Sequence, residues 1–317
     1  MSAGGGAKAV VAALLANIGI AVLKFLAWGL TGASSMLAEA IHSVADSGNQ
    51  MLLLLGRNRS RRAATREHQF GYGRERYVYA FLVSVVLFSV GGLFALYEAY
   101  HKLQEVLGGH PDELLESSWW WVPLVVLGGA LVLEGLSFRT AVIESASQRG
   151  TTSWVGFVRG TKSPELPVVL LEDSAALVGL CFALLGVGLS KLTGSGYWDV
   201  GGTAAIGLLL VAVAVVLAVE TKSLLLGESA RPEVERRIRE ALEATPGVER
   251  VIHIRTLHLG PDELLVAAKT GVPREASAAE VARGIDAAER AIRSAEPMAT
   301  LIYIEPDIDR GEQGGSG

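Results

Sequence analysis

Cysteine is almost missing from this sequence: Cys181 is the only one in 317 residues, and it sits inside an apolar run. One thiol cannot build a disulfide framework, so a packing role is expected of it. Charge is scarce as well, at 19% of residues. No H-E-x-x-H pattern occurs anywhere. That absence excludes an intramembrane metalloprotease, which draws two zinc ligands and a general base from that spacing.

What is abundant is apolar sequence. Half of the residues are hydrophobic and the mean hydropathy is +0.38, values of a polytopic membrane protein with a soluble part. Apolar runs long enough to cross a bilayer recur at roughly 8–30, 34–56, 78–103, 119–138, 167–191 and 198–219. The first is too long for a signal-peptide core and lacks a small-residue cleavage site, so it is expected to be a retained helix. From about residue 228 the sequence turns to ordinary charged composition, with 17 acidic and 12 basic residues. The net charge of −5 therefore resides in that tail.

Loop charge sets the expected orientation. The connection after the second run carries Arg57, Arg59, Arg61, Arg62, Arg66, Arg74 and Arg76, and the one after the fourth carries Arg139, Arg149, Arg159 and Lys162. The connection after the third run is acidic. Positive loops stay on the cytoplasmic side, so six crossings place both termini and the tail in the cytoplasm. The "SSWWW" at 117–121 then falls at the outer interface as an aromatic belt.

Against this background the stretch "LAEAIHSVADSGNQMLLLLG", residues 37–56, is unusual. A charge near the bilayer centre costs about 2.5–3.5 kcal/mol even on insertion scales. Glu39, His42, Asp46 and Asn49 lie at helical offsets that share one face. The stripe suits either a hydrogen-bond network between helices or a metal site, and imidazole and carboxylate four residues apart favour the metal. The fifth run adds "VVLLEDSAALVG", with Glu172 and Asp173 adjacent. Neighbours differ by about 100° around a helix, so one of them is the ligand and the other has a different task. Glu134 in the fourth run is expected to pair with Arg139 or to serve packing, and Lys24 in the first run to snorkel or pair.

These residues resemble the cation diffusion facilitator family, with details nearer its zinc transporter nine-type branch. "HSVAD" resembles the family's first half-site, "HQFGYGRERY" its loop motif, and "DSAALVG" its fifth-helix half-site; "WDVGGTAAIGLLL" and a small tail complete the order. The resemblance implies a transport site on His42, Asp46 and Asp173. Its fourth ligand would fall on Val169, which cannot coordinate, so Glu172, Asn49 or water is left to complete the shell. The family's other metal positions look depleted. His68 matches one loop ligand, but Tyr72 stands where a second histidine is expected; His253 matches a tail ligand, but Tyr303 stands at another. His68, His253 and Glu39 are secondary candidates, with His258 and Glu305 behind them, and the tail is expected to bind metal weakly or not at all. His101 and His110 read as surface residues.

The tail pattern predicts helix 231–245, strand 248–258, strand 263–271, helix 276–295 and strand 299–305. That αββαβ order suggests a split βαβ, ferredoxin-like sandwich. The expected domains are a six-helix transmembrane domain at 1–227, a cytoplasmic α+β domain at 228–310, and a structureless tail at 311–317. The resemblance implies a homodimer in a bilayer, expected to be a bacterial plasma membrane, with no enzymatic activity and no nucleic-acid partner. The function expected is export of a divalent metal in exchange for protons, the cargo being zinc, with manganese, iron or cobalt also compatible. The rival is a membrane receptor or structural protein whose polar stripe only bridges helices.

Overall fold

The computed structural model describes the backbone of residues 3–109 and 113–308, with side chains over 17–109, 114–146 and 149–308. His110 and the segment 311–317 lie outside the described residues. The chain divides into two compact units: residues 1–57 with 78–222, and residues 58–77 with 223–317.

The first unit is helical. Its long helices are α1 (Ala3–Thr31), α2 (Ser34–Ser60), α3 (Glu75–Leu107), α4 (Trp121–Arg149), α5 (Glu165–Thr193) and α6 (Tyr197–Leu226). Four of them, α3 to α6, are long and apolar enough to cross a membrane. In α1 the described apolar stretch is shorter, Asn17–Thr31, and α2 is interrupted by its polar stripe. The helix α4 runs to Arg149, past the end of the apolar run at 138, because no Gly or Pro intervenes before Gly150, whose φ of +58 ends it. A further two-turn helix, Trp154–Gly160, lies in the basic connection that follows, where no element was expected; Ser153 caps it by accepting from Gly156 N.

Small residues decide how these helices pack. A Cβ on Gly92 would fall 2.7 Å from Val211 Cγ2, and one on Gly207 would fall 2.7 Å from Leu96 Cγ. The helices α3 and α6 therefore meet almost backbone to backbone. At that level α3 widens into a π-helical segment, Leu87–Leu93. Such segments concentrate at functional sites. The turn from α1 to α2 uses Gly32 at φ +64, and the start of α2 is capped from far along the chain. Ser34 N donates to Asp199 Oδ2 at 2.8 Å, and Ser35 donates through both its N–H and its hydroxyl to Asp199 Oδ1. A helix N-terminus leaves its first N–H groups unpaired, and the buried carboxylate from α6 satisfies two of them. Cys181 is exposed on α5, which corrects the expected packing role.

The second unit holds α7 (Pro232–Glu243), β1 (Arg250–Gly260), β2 (Glu263–Val272), α8 (Ala278–Ala295) and β3 (Ala299–Ile308). The first strand begins two residues later than expected, because Gly247 at φ +90 is still turning the chain out of α7. The sheet order is β1-β2-β3, antiparallel then parallel. This corrects the split βαβ expectation. A split unit needs another strand between the two parallel ones, whereas here β2 and β3 pair directly, Val266 opposite Ile302. Ile238 and Leu242 of α7, Ala288 and Ile292 of α8, and Leu264 and Val266 of β2 make the core. Ser277 and Glu280 form a reciprocal capping box at the start of α8. The arginine-rich loop 58–77 packs in this unit: Arg76 Nη1 donates to Asp262 Oδ2 at 2.9 Å, and Gly73 lies against the backbone of Leu259 and Gly260.

Candidate metal site

The stripe of α2 is buried throughout, with Glu39, His42 and Asn49 at 1% exposure or less and Asp46 at 8%. Burial of this kind separates a working or bridging stripe from a solvated face. His42 Nδ1 lies 3.4 Å from Asp46 Oδ1, but the pair lacks hydrogen-bond alignment. Both ring nitrogens of His42, and Asp46 Oδ1, are buried with no hydrogen-bond partner. A buried polar atom without a partner costs about 1–3 kcal/mol, so the arrangement is held at a cost that a ligand can relieve. The π segment of α3 runs beside it: a Cβ on Gly91 would come within 3.9 Å of His42 Nδ1.

The two carboxylates of α5 part company. Asn49 Nδ2 donates to Glu172 Oε1 at 2.8 Å, and the carboxyl groups of Glu172 and Asp46 lie within hydrogen-bonding reach of each other. Asp173 instead accepts from Ser137 Oγ of α4 at 3.1 Å. The structure thus brings His42, Asp46, Asn49 and Glu172 together and bonds Asp173 to a different helix. Among the described residues no group of three His, Cys, Asp or Glu side chains stands close enough to hold an ion. Val169 packs against the apolar core, as its side chain dictates.

Glu39 has another partner. Lys24 of α1, 1% exposed, donates to Glu39 Oε2 at 3.0 Å and to Ser43 Oγ at 2.7 Å. This ion pair explains both charges, and it was open to sequence reasoning as two opposite charges on consecutive apolar helices. Asp199 was missed because a single carboxylate at the start of an apolar run carries no spacing signal. Glu134 lines a narrow cavity with Asn17, Ile20, Ser43 and Asp46.

Of the secondary candidates, His68 and His253, with His258 and Glu305 behind them, lie in the other unit. His68 is exposed, its ring edge-on to Tyr72 with centroids 4.7 Å apart, and its backbone closes a turn with Thr65 and Gly71. His253 is exposed on β1 opposite Lys269 of β2. Lys269 in turn pairs with Glu305 and Asp307, and the attraction of these carboxylates, Asp307 first, raises its pKa. His258 is buried with Nδ1 3.4 Å from Gly260 O. On α3 of the helical unit, His101 is exposed, with Nδ1 3.6 Å from Glu105 Oε1.

Apolar helices enclosing a buried, unpartnered imidazole and carboxylate, followed by a small α+β domain, are the layout of a membrane protein that handles ions. Comparison with known proteins makes the class specific. Residues 10–226 match the cation efflux transmembrane domain, and residues 230–307 match the cytoplasmic domain of cation efflux proteins. The chain belongs to the cation efflux family, also called the cation diffusion facilitators; the family consists of transporters, not enzymes. It is 35% identical over 259 residues to the mouse "Proton-coupled zinc antiporter SLC30A9, mitochondrial", covering 81% of this chain and 44% of that one. It is 30% identical to metal tolerance protein C4 of Arabidopsis thaliana, covering 80% and 54%. To the magnetosome protein MamM of Magnetospirillum gryphiswaldense it is 26% identical, covering 76% and 69%. The chain spans less than half the length of the SLC30A9 relatives it matches. Those relatives are mitochondrial by name, so the expected bacterial plasma membrane has no support from them.

Proposed function

We propose that this protein exports a divalent metal in exchange for protons, with zinc as its cargo. The observation that carries the reading is His42: a fully buried imidazole with two unpartnered nitrogens, one turn from an unpartnered oxygen of Asp46. Neutral imidazole and ionised carboxylate are the forms that ligate metal, and each is also a proton acceptor, so one set of atoms serves both ions in turn. A helix-bridging network, the rival reading, would leave these atoms bonded to neighbours. The SLC30A9 relatives are named proton-coupled zinc antiporters, which supports both zinc and the proton. The donor set also accommodates Mn2+, Fe2+ or Co2+.

The site comprises His42 and Asp46 with a carboxylate from α5. Glu172 is supported by its place beside Asn49 and Asp46, and Asp173 by the family motif alone. Six crossings with both termini in the cytoplasm follow from the loop charges. The match of residues 230–307 to the cytoplasmic domain of cation efflux proteins supports a homodimer joined through the tail. The test is uptake of Zn2+, Mn2+, Fe2+ and Co2+ into proteoliposomes under an imposed pH gradient. Zinc uptake that collapses with the gradient is expected, and a sealed vesicle that takes up no metal rules the reading out.

A further inference from the structure

The sequence departs from its family at Val169, and the structure offers a donor from a helix that the family motif does not use. Resting on the transport reading above, we propose that Glu134 of α4 is a ligand of the ion in transit. It supplies the carboxylate that Val169 cannot.

Three observations carry this. Glu134 and Asp46 line the same crevice, too tight to admit a water molecule, together with Asn17 and Ser43, so α1, α2 and α4 all bring polar residues to it. Asp46 is over nine-tenths buried and its Oδ1 is unpartnered, which gives the cavity a donor with no present occupation. Glu134 also lies within electrostatic reach of Asp46, Glu172 and Asp173.

His42, Asp46, Glu172 and Asp173 are buried, while Glu134 is half-buried. Lys24 also acts on Glu134, but its ammonium group is already held by Glu39 and Ser43. A merely structural Glu134 would be a second counter-ion of Lys24, and the two roles make different predictions.

The experiment is calorimetric titration of the full-length protein in detergent with Zn2+, paired with Zn2+ uptake in proteoliposomes and thermal unfolding, for wild type, Glu134→Gln and Glu134→Asp. Glu134→Gln should weaken Zn2+ binding by at least roughly 10- to 100-fold, the range for loss of a group that only orients a ligand, since a ligand itself contributes more. The unfolding temperature should stay unchanged, and Glu134→Asp should recover part of the affinity. Unchanged Zn2+ affinity in Glu134→Gln overturns the inference, and so does a loss of thermal stability with affinity intact, the signature of the counter-ion role. A wild-type protein that neither binds nor carries Zn2+ overturns the transport reading together with this one. Wild-type transport beside an unaffected Glu134→Gln overturns this inference alone.

Discussion

Asn49 and Glu172, 123 positions apart in the chain, are joined by a 2.8 Å hydrogen bond from the amide nitrogen to the carboxylate. The bond couples α2 to α5 at the level of Asp46, and it selects Glu172 over its neighbour as the carboxylate on that side.

The first prediction follows. Glu172→Gln should raise the Zn2+ concentration for half-maximal uptake more than Asp173→Asn does, with Asp46→Ala abolishing uptake as the reference. Removing a carboxylate from a divalent site weakens ion binding in a low-dielectric setting. Uptake kinetics on the three variants in parallel decide the matter. A larger effect from Asp173→Asn returns the ligand role to Asp173.

The Lys24–Glu39 pair makes a second prediction about stability. Removing one partner of a buried ion pair leaves an uncompensated charge, a cost of about 3–5 kcal/mol, while replacing both with apolar or neutral groups is often near neutral. Lys24→Met and Glu39→Gln should each lower the unfolding temperature in detergent, and the double variant should recover most of the loss. Additive losses in the double variant would show that the two charges do not depend on each other.

Asp199 supports a third. Asp199→Ala strips the caps from Ser34 and Ser35, and loss of a cap costs about 0.5–2 kcal/mol. Hydrogen exchange should quicken in the first turn of α2 while the tail stays protected. Asp199→Asn, which keeps an acceptor oxygen, should show the smaller change. Equal effects of Ala and Asn would mean that the charge, and not the cap, matters.

The capping box of α8 gives a fourth, with a definite sign in pH. Hydrogen bonds from the Ser277 side chain and backbone to the Glu280 carboxylate lower its pKa below the ordinary 4.5. A carboxyl group depressed in the folded state stabilises above its unfolded value, and that contribution fades as pH falls through the folded one. Protection of the first turn of α8 against hydrogen exchange should therefore hold at neutral pH and decline only below about 4.5 in wild type. Glu280→Gln should lower the neutral-pH protection and remove this pH dependence. An identical profile in both proteins rules out the box as the cause.

The long helices and the tail strands were legible because their signals are periodic: apolar runs in one case, alternation in "VERVIHIRTLHL" in the other. The polar stripe was legible for the same reason, since 39, 42, 46 and 49 share a face. Pairings between helices were not. Whether Glu172 or Asp173 turns toward α2 depends on the rotation of α5, which is set by close contacts such as Gly179 against Glu39 and Gly186 against Gly202 of α6. The π segment of α3 likewise leaves no mark in a sequence that is apolar throughout. The direct pairing of β2 with β3 was misjudged because element order alone leaves open whether a strand lies between them.

The bond between Lys24 and Glu39 also bears on how the chain enters a membrane. The two charges are 15 residues apart on either side of the Gly32 turn, so Lys24 leaves the ribosome before its partner exists. Either charge alone opposes partition into lipid by about 2.5–3.5 kcal/mol. The pair formed across the turn removes much of that opposition at once. If the first two helices enter lipid, the pair makes their joint partition less costly than that of either helix alone.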